Sequence, residues 1–182
     1  MTTYAEQRTA RLKARSKAFL RTPSDLSTAA TVPLVVALNC TLADVFALHF
    51  KTRNFEWHMS GPHFGEYRDM LQEQVQQLDA MTGAIAERVR KLGGNTLRSI
   101  GHVARTQRIF DNDAEFVEPS EMFCELCEDN KAMANHLRAA HALCKKHRDV
   151  ATACLIQVWI DETERRTWFL FESGRRQDAA GR

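Results

Sequence analysis

From Phe64 to Leu92, apolar side chains recur at steps of three or four without a break: Phe64, Tyr67, Leu71, Val75, Leu78, Met81, Ile85, Val89 and Leu92. That step averages close to the helical repeat, so all of these side chains share one face of a long amphipathic helix. Gly93-Gly94 supplies its C-terminal stop. Three further segments carry the same periodicity less cleanly. The first covers about residues 31–58, with Val35, Leu38, Leu42, Val45 and Leu48 on its stripe, and ends at Gly61-Pro62. The third starts near Pro119, a residue suited to a first helical turn, and carries Met122, Leu126, Met133, Leu137 and Leu143. The fourth spans about residues 150–173 and is expected to stop at Gly174. No segment alternates apolar and polar residues over strand length, and no internal repeat is present.

Loop lengths then restrict the topology. Links of about four residues join the first helix to the second and the third to the fourth, which makes each pair an antiparallel hairpin. Residues 93–118 separate the pairs and are long enough to cross the whole bundle. One long crossover makes the second and third helices parallel, the ferritin-like arrangement of an all-α four-helix bundle. The chain divides into a basic tail at 1–30, a helical domain at 31–174 and a short tail at 175–182.

A length of 182 residues suits one domain with a substantial core, and 44% hydrophobic content is ordinary for a globular chain. No run of about 18 uninterrupted apolar residues marks a membrane span, and no apolar segment follows the basic N-terminus as in a secretory signal. Five cysteines, an odd number, fit reduced thiols in a cytoplasm better than a disulfide framework. The net charge of +2 is unevenly spread: Arg8, Arg11, Lys13, Arg15, Lys17 and Arg21 face only Glu6 within residues 1–22.

Ferritin-like bundles that hold two irons within one subunit place Glu-x-x-His on inward helices, because a three-residue step brings both side chains to one face. The residues three before the seven histidines are Phe46, Phe55, Ser60, Ser99, Met133, Arg138 and Cys144, so the motif is absent. An intrasubunit di-iron centre is not expected.

The stretches "LHFKTRNFEWHMSGPHF", "IAERVRKLGGNTLRSIGH" and "WIDETERRTWFLFES" together resemble the Dps mini-ferritins, the DNA-binding proteins of starved cells, over about residues 35–173. The resemblance implies a four-helix subunit with a short extra helix in the crossover, a dodecameric hollow shell, peroxide-driven oxidation and storage of iron, and in some members the coating of DNA. It also implies an iron site shared between two-fold-related subunits. The family's histidine before the tryptophan is Glu56 here, and the histidine twelve positions on is Arg68. The aspartate that follows is Gln72, while the partner's aspartate and glutamate correspond to Gly83 and Glu87. Only Glu87 keeps its type.

Charge gives these changes their meaning. The family's two imidazoles and three carboxylates carry about −3, which suits divalent iron, a hard cation. Glu56, Arg68, Gln72 and Glu87 carry about −1, with a guanidinium that does not give up its proton. A guanidinium between two carboxylates substitutes for a metal cation. The expectation is that Arg68 ties Glu56 of one subunit to Glu87 of another. The alternative is that Arg68 turns to solvent and Glu56 and Glu87 retain weak iron binding.

The remaining candidates read as structural. His58 and His63 flank the Gly-Pro turn and could coordinate a surface metal, though a solvated or structural role is the expectation; His49 is an interior histidine, and Trp57 and Trp168 are packing anchors. Cys124 and Cys127 have zinc-like spacing but no second pair. His136, His141 and His147 share a helix without chelating spacing. The resemblance places the turn "CKKHRD" near an acidic three-fold pore. Asp149 keeps the acidic character there, and Lys145, Lys146 and Arg148 oppose it.

Three functions follow. One is a DNA-coating shell protein of stress response in the nucleoid, ferroxidase-deficient, whose tail cations neutralise phosphates without reading sequence. The second is an iron-storing mini-ferritin that uses the residual carboxylates. The third is a partner that co-assembles with an active paralogue. For the tail alone, an amphipathic helix packed on a neighbouring subunit competes with DNA binding.

Overall fold

The structure is a computed structural model that describes residues 3, 4, 6–9 and 22–180, with side chains described as far as residue 175. Five helices carry the architecture: α1 (Thr28–His58), α2 (Phe64–Lys91), α3 (Ile100–Thr106), α4 (Pro119–His147) and α5 (Val150–Ala180). There is no strand among the described residues. Four long helices form the bundle. α3 is the short helix of the crossover, packed against α1.

The apolar stripes meet at the bundle axis. Leu38, Leu42 and Leu48 of α1 face Leu71, Leu78, Met81, Ile85 and Val89 of α2, with Met122, Leu126, Met133 and Leu137 of α4 and Ile156 and Leu170 of α5 completing one cluster. Phe64 alone departs from the α2 stripe: it lies at the first turn, beyond the neighbouring helices, and stays exposed. α1 is long and apolar enough to cross a membrane by composition. Its apolar face is nevertheless the one packed on α2 and α4, and it buries three charged residues, Asp44, Lys51 and Glu56.

Helix ends depart from the sequence expectation in three places. α1 begins at Thr28, three residues early, so Pro33 lies inside the helix and leaves the carbonyl of Ala29 without its intrahelical donor. The link between α4 and α5 is two residues, not four: Arg148 takes a left-handed conformation at φ 60°, and Asp149 N–H closes on Cys144 O at 3.0 Å. α5 runs through Gly174 to Ala180, so its helix continues into the expected C-terminal tail. A glycine within a helix costs about 1 kcal/mol relative to alanine but does not by itself end it. Gly93, by contrast, is a true stop, at φ 81°. The adjoining Gly94 lies so close to α1 that a Cβ there would stand 2.5 Å from Val35.

Buried charges pin the crossover and the helix pairs. Asp44 accepts the backbone N–H of Arg108 at 2.6 Å and two guanidinium N–H groups of the same residue, while His136 Nδ1 lies 3.1 Å from its Oδ2. Lys51 donates to Glu125 at 2.6 Å and Asp129 at 2.8 Å, tying α1 to α4. Burial pulls the Lys51 ammonium down, but its hydrogen bonds to Asp129 and Glu125 outweigh it and hold the group above its ordinary range.

Candidate metal site at Glu56

Glu56 lies in the last turn of α1, 2% exposed. A carboxylate buried this far has to be hydrogen-bonded or paired. Its Oε1 accepts Arg68 Nε at 3.1 Å, and its Oε2 accepts Arg53 Nη1 at 2.9 Å. Each oxygen therefore already serves a guanidinium. Arg68 reaches Glu56 from the first turns of α2, across the Gly61-Pro62 link, and keeps half its side chain exposed. Arg53 stands one turn before Glu56 on α1, on the same face.

Within one chain this cluster sums to about +1, one carboxylate against two cations. A divalent cation entering there would meet net repulsion and no free carboxylate oxygen. Arg53 is the member that sequence reasoning missed. Its signal was present as Arg-x-x-Glu, an ion-pair spacing, hidden by attention to the positions of the family's ligands.

The other expected site residues lie apart from this pair. Gln72 is exposed one turn after Arg68. Gly83 is exposed, with open space where a Cβ would point. Glu87 is exposed and pairs with Lys91 at 3.1 Å. At about 1.5 Å per residue, Glu87 stands roughly 28 Å along α2 from Arg68. Arg68 and Glu87 do not meet in one chain, and only a second copy can bring them together. Of the basic tail, Arg8 is described and exposed; Arg11, Lys13, Arg15, Lys17 and Arg21 lie outside the described residues.

Several secondary candidates resolve. Asp149 is buried: it accepts Arg88 Nη2 at 2.6 Å and the N–H of Thr152 at 3.0 Å. It caps the first turn of α5 instead of presenting an acid to a channel, whereas Lys145, Lys146 and Arg148 are exposed. Trp57 and Trp168 are exposed and so do not anchor the core of the chain; Trp159 is the buried tryptophan. Cys127 is buried, Cys124 is exposed, and burial raises the Cys127 thiol. His58 Nδ1 lies 2.8 Å from Asn54 O, and His63 stays exposed. His49 is half-buried, its imidazole held below its ordinary range first by burial and further by Arg53, against the pull of Asp79.

A polar cluster also sits within the bundle. The Arg166 guanidinium, 1% exposed, donates to Asn130 Oδ1 at 2.9 Å and Thr163 Oγ1 at 2.8 Å. A cation and neutral amides stand there between α4 and α5, a donor set with no affinity for iron.

A ferritin-like domain profile matches residues 35–173. The "DNA protection during starvation protein" of Agrobacterium fabrum is 29% identical over 150 residues, 82% of this chain and 93% of its own length. The protein of that name from Brevibacillus brevis is 25% identical over 138 residues, 75% of this chain and 91% of its own length. Among solved structures, DpsC from Streptomyces coelicolor superposes with a TM-score of 0.82 at 24% identity, covering 86% of this chain and 91% of that one. The Dps protein of Vibrio cholerae gives 0.78 at 22% identity, with coverage of 86% and 98%. The profile match over most of the chain and the bundle with its single long crossover agree. The chain belongs to the ferritin-like family, as a mini-ferritin of the Dps type.

Proposed function

We propose that this protein is a Dps-type shell subunit of stress protection that coats DNA and has exchanged its inter-subunit iron-oxidising centre for an ion-pair cluster. The observation that carries the reading is the pairing of both oxygens of buried Glu56 with guanidinium groups, Arg53 on one and Arg68 on the other. Glu87 of a second copy, brought to Arg68 across a two-fold axis, would cancel the remaining positive charge. It would complete a carboxylate–guanidinium–carboxylate bridge where the family holds metal.

Iron, as substrate, meets a poor donor set here. Glu56 is occupied, Arg68 is a fixed cation, Gln72 is a neutral amide and Gly83 offers no side chain. The exposed cations Lys145, Lys146 and Arg148 beside the α4–α5 turn support the same reading, since they disfavour the approach of cations. DNA protection rests on the names of the relatives and on the six cations of residues 8–21. In an oligomeric shell those tails act together, which multiplies weak phosphate contacts.

Two measurements test the proposal. Anaerobic Fe(II) titration followed by a peroxide pulse should give no fast stoichiometric oxidation above a protein-free control; fast oxidation abolished by Glu87→Ala would refute it. Gel shifts of linear DNA should be lost on deletion of residues 1–22 and weaken steeply between about 50 and 200 mM salt. Retention of the shift by the truncated shell would remove the tail from the account.

A further inference from the structure

Arg166 is a buried cation without an anion. All its hydrogen-bond acceptors are neutral: Asn130 Oδ1 at 2.9 Å, Thr163 Oγ1 at 2.8 Å and, at the long limit of 3.5 Å, Gln77 Oε1. It forms no ion pair with any described carboxylate. Glu162 acts on it only at longer range. Burial pulls the guanidinium down to about 10, which still leaves it charged at neutral pH. An uncompensated charge this deep is costly, and a counter-ion relieves the cost.

A second group points to where that counter-ion sits. Gln74 of α2 is 4% exposed, and its Nε2 amide has no hydrogen-bond partner. Gln74 and Arg166 line one small cavity of about 20 Å³ between α2 and α5, walled on its apolar side by Met70 and Phe169. The one carboxylate on its rim, Glu73, serves other residues of the same lining: it accepts Gln77 Nε2 at 3.0 Å and pairs with Arg165 at 3.7 Å. Arg165, Arg166 and Glu73 together leave the cavity with about one uncompensated positive charge.

The geometry points to a binding site for a single monoatomic anion, a halide, held between Gln74 Nε2 and the free N–H groups of Arg166. The volume accommodates about one water-sized particle, so a halide fits it whole, whereas sulfate, phosphate or a carboxylate would enter only in part. A water molecule fits the space but leaves the charge uncompensated. Occupied, the site links α2 to α5, which otherwise touch little, and through Arg166 to Asn130 of α4. The anion is a structural ligand of the bundle.

The experiment uses the full-length protein crystallised from halide-free sulfate medium and soaked in bromide. The expected result is a bromide anomalous peak within hydrogen-bond reach of both Gln74 Nε2 and Arg166, absent from Gln74→Leu. In solution, adding bromide at fixed sulfate concentration should raise the thermal midpoint of the parent relative to Gln74→Leu saturably, by about 4 °C at tenfold excess over Kd. Gln74→Leu should remove that rise while leaving the far-UV helical signal unchanged. Bromide confined to the outer surface, a peak that survives Gln74→Leu, or a midpoint indifferent to halide would overturn the assignment.

Discussion

Arg68 Nε meets Glu56 Oε1 at 3.1 Å, joining side chains twelve residues apart across the turn between α1 and α2. The two lie where the resemblance to mini-ferritins places metal-binding imidazoles, and Arg53 closes on the other oxygen. A cation is thus already present at the pocket, supplied covalently by the chain. Iron would have to displace a guanidinium that cannot be neutralised by losing a proton.

Restoring the ligand types should therefore restore the chemistry. The combination Glu56→His, Arg68→His, Gln72→Asp and Gly83→Asp moves the set back towards two imidazoles and three carboxylates. Its expected outcome is Fe(II) binding and fast peroxide-dependent oxidation, measured by stopped-flow absorbance, with neither expected of the parent protein. The Arg68→His change alone should recover little, because Arg53 still occupies Glu56.

The Lys51 triad makes a separate statement about stability. Lys51→Met leaves Glu125 and Asp129 facing each other across a space that the ammonium filled. Removing one partner of a buried ion pair costs about 3 kcal/mol, which lowers the thermal midpoint by roughly 9 °C in a chain of this size. Adding Glu125→Gln and Asp129→Asn should recover most of the loss. Calorimetry of the three variants checks both parts.

The four long helices and their order were legible because stripes such as Leu71, Val75, Leu78 and Met81 carry the helical period without interruption. The crossover was legible from the spacing of Gly93 and Pro119. Helix ends were not: Arg148 supplies a left-handed residue where sequence reading favours glycine, and Gly174 passes unnoticed through a helix held by its neighbours. The buried polar groups were missed for another reason. Asp44, Lys51 and Arg166 occupy core-facing positions, and their partners Arg108, Asp129 and Asn130 lie too far along the chain for local spacing to reveal. Of the candidate site, the Glu56–Arg68 contact was readable from the family positions, whereas Arg53, at ion-pair spacing before Glu56, lies outside those positions.

Asp44 should control the crossover more than the bundle. Asp44→Asn weakens the bonds to both the backbone and the guanidinium of Arg108, and Arg108 has no second acid partner among the described residues. Amide exchange in residues 107–112 should rise at least about tenfold, equivalent to about 1.4 kcal/mol, while exchange in α2 stays unchanged.

His49 gives the fold a defined pH dependence. Its folded pKa lies below the ordinary value of 6.5 because burial disfavours the imidazolium. Above 6.5 both folded and unfolded chains carry the neutral ring, and the group contributes no slope. As pH falls below 6.5, the unfolded chain takes up a proton that the folded chain resists, so stability declines until the folded pKa is reached. His49→Gln should flatten the decline of the thermal midpoint as pH falls below 6.5 relative to the parent; an identical slope in both would contradict the assignment.

The central claim is that side-chain cations hold the pocket at Glu56. The most direct test is diffraction at the iron absorption edge from crystals grown anaerobically with excess Fe(II). The account predicts no anomalous density within bonding distance of Glu56 and both guanidinium groups in place. An iron peak coordinated by Glu56 and Glu87 of a second copy, with Arg68 turned to solvent, would contradict it.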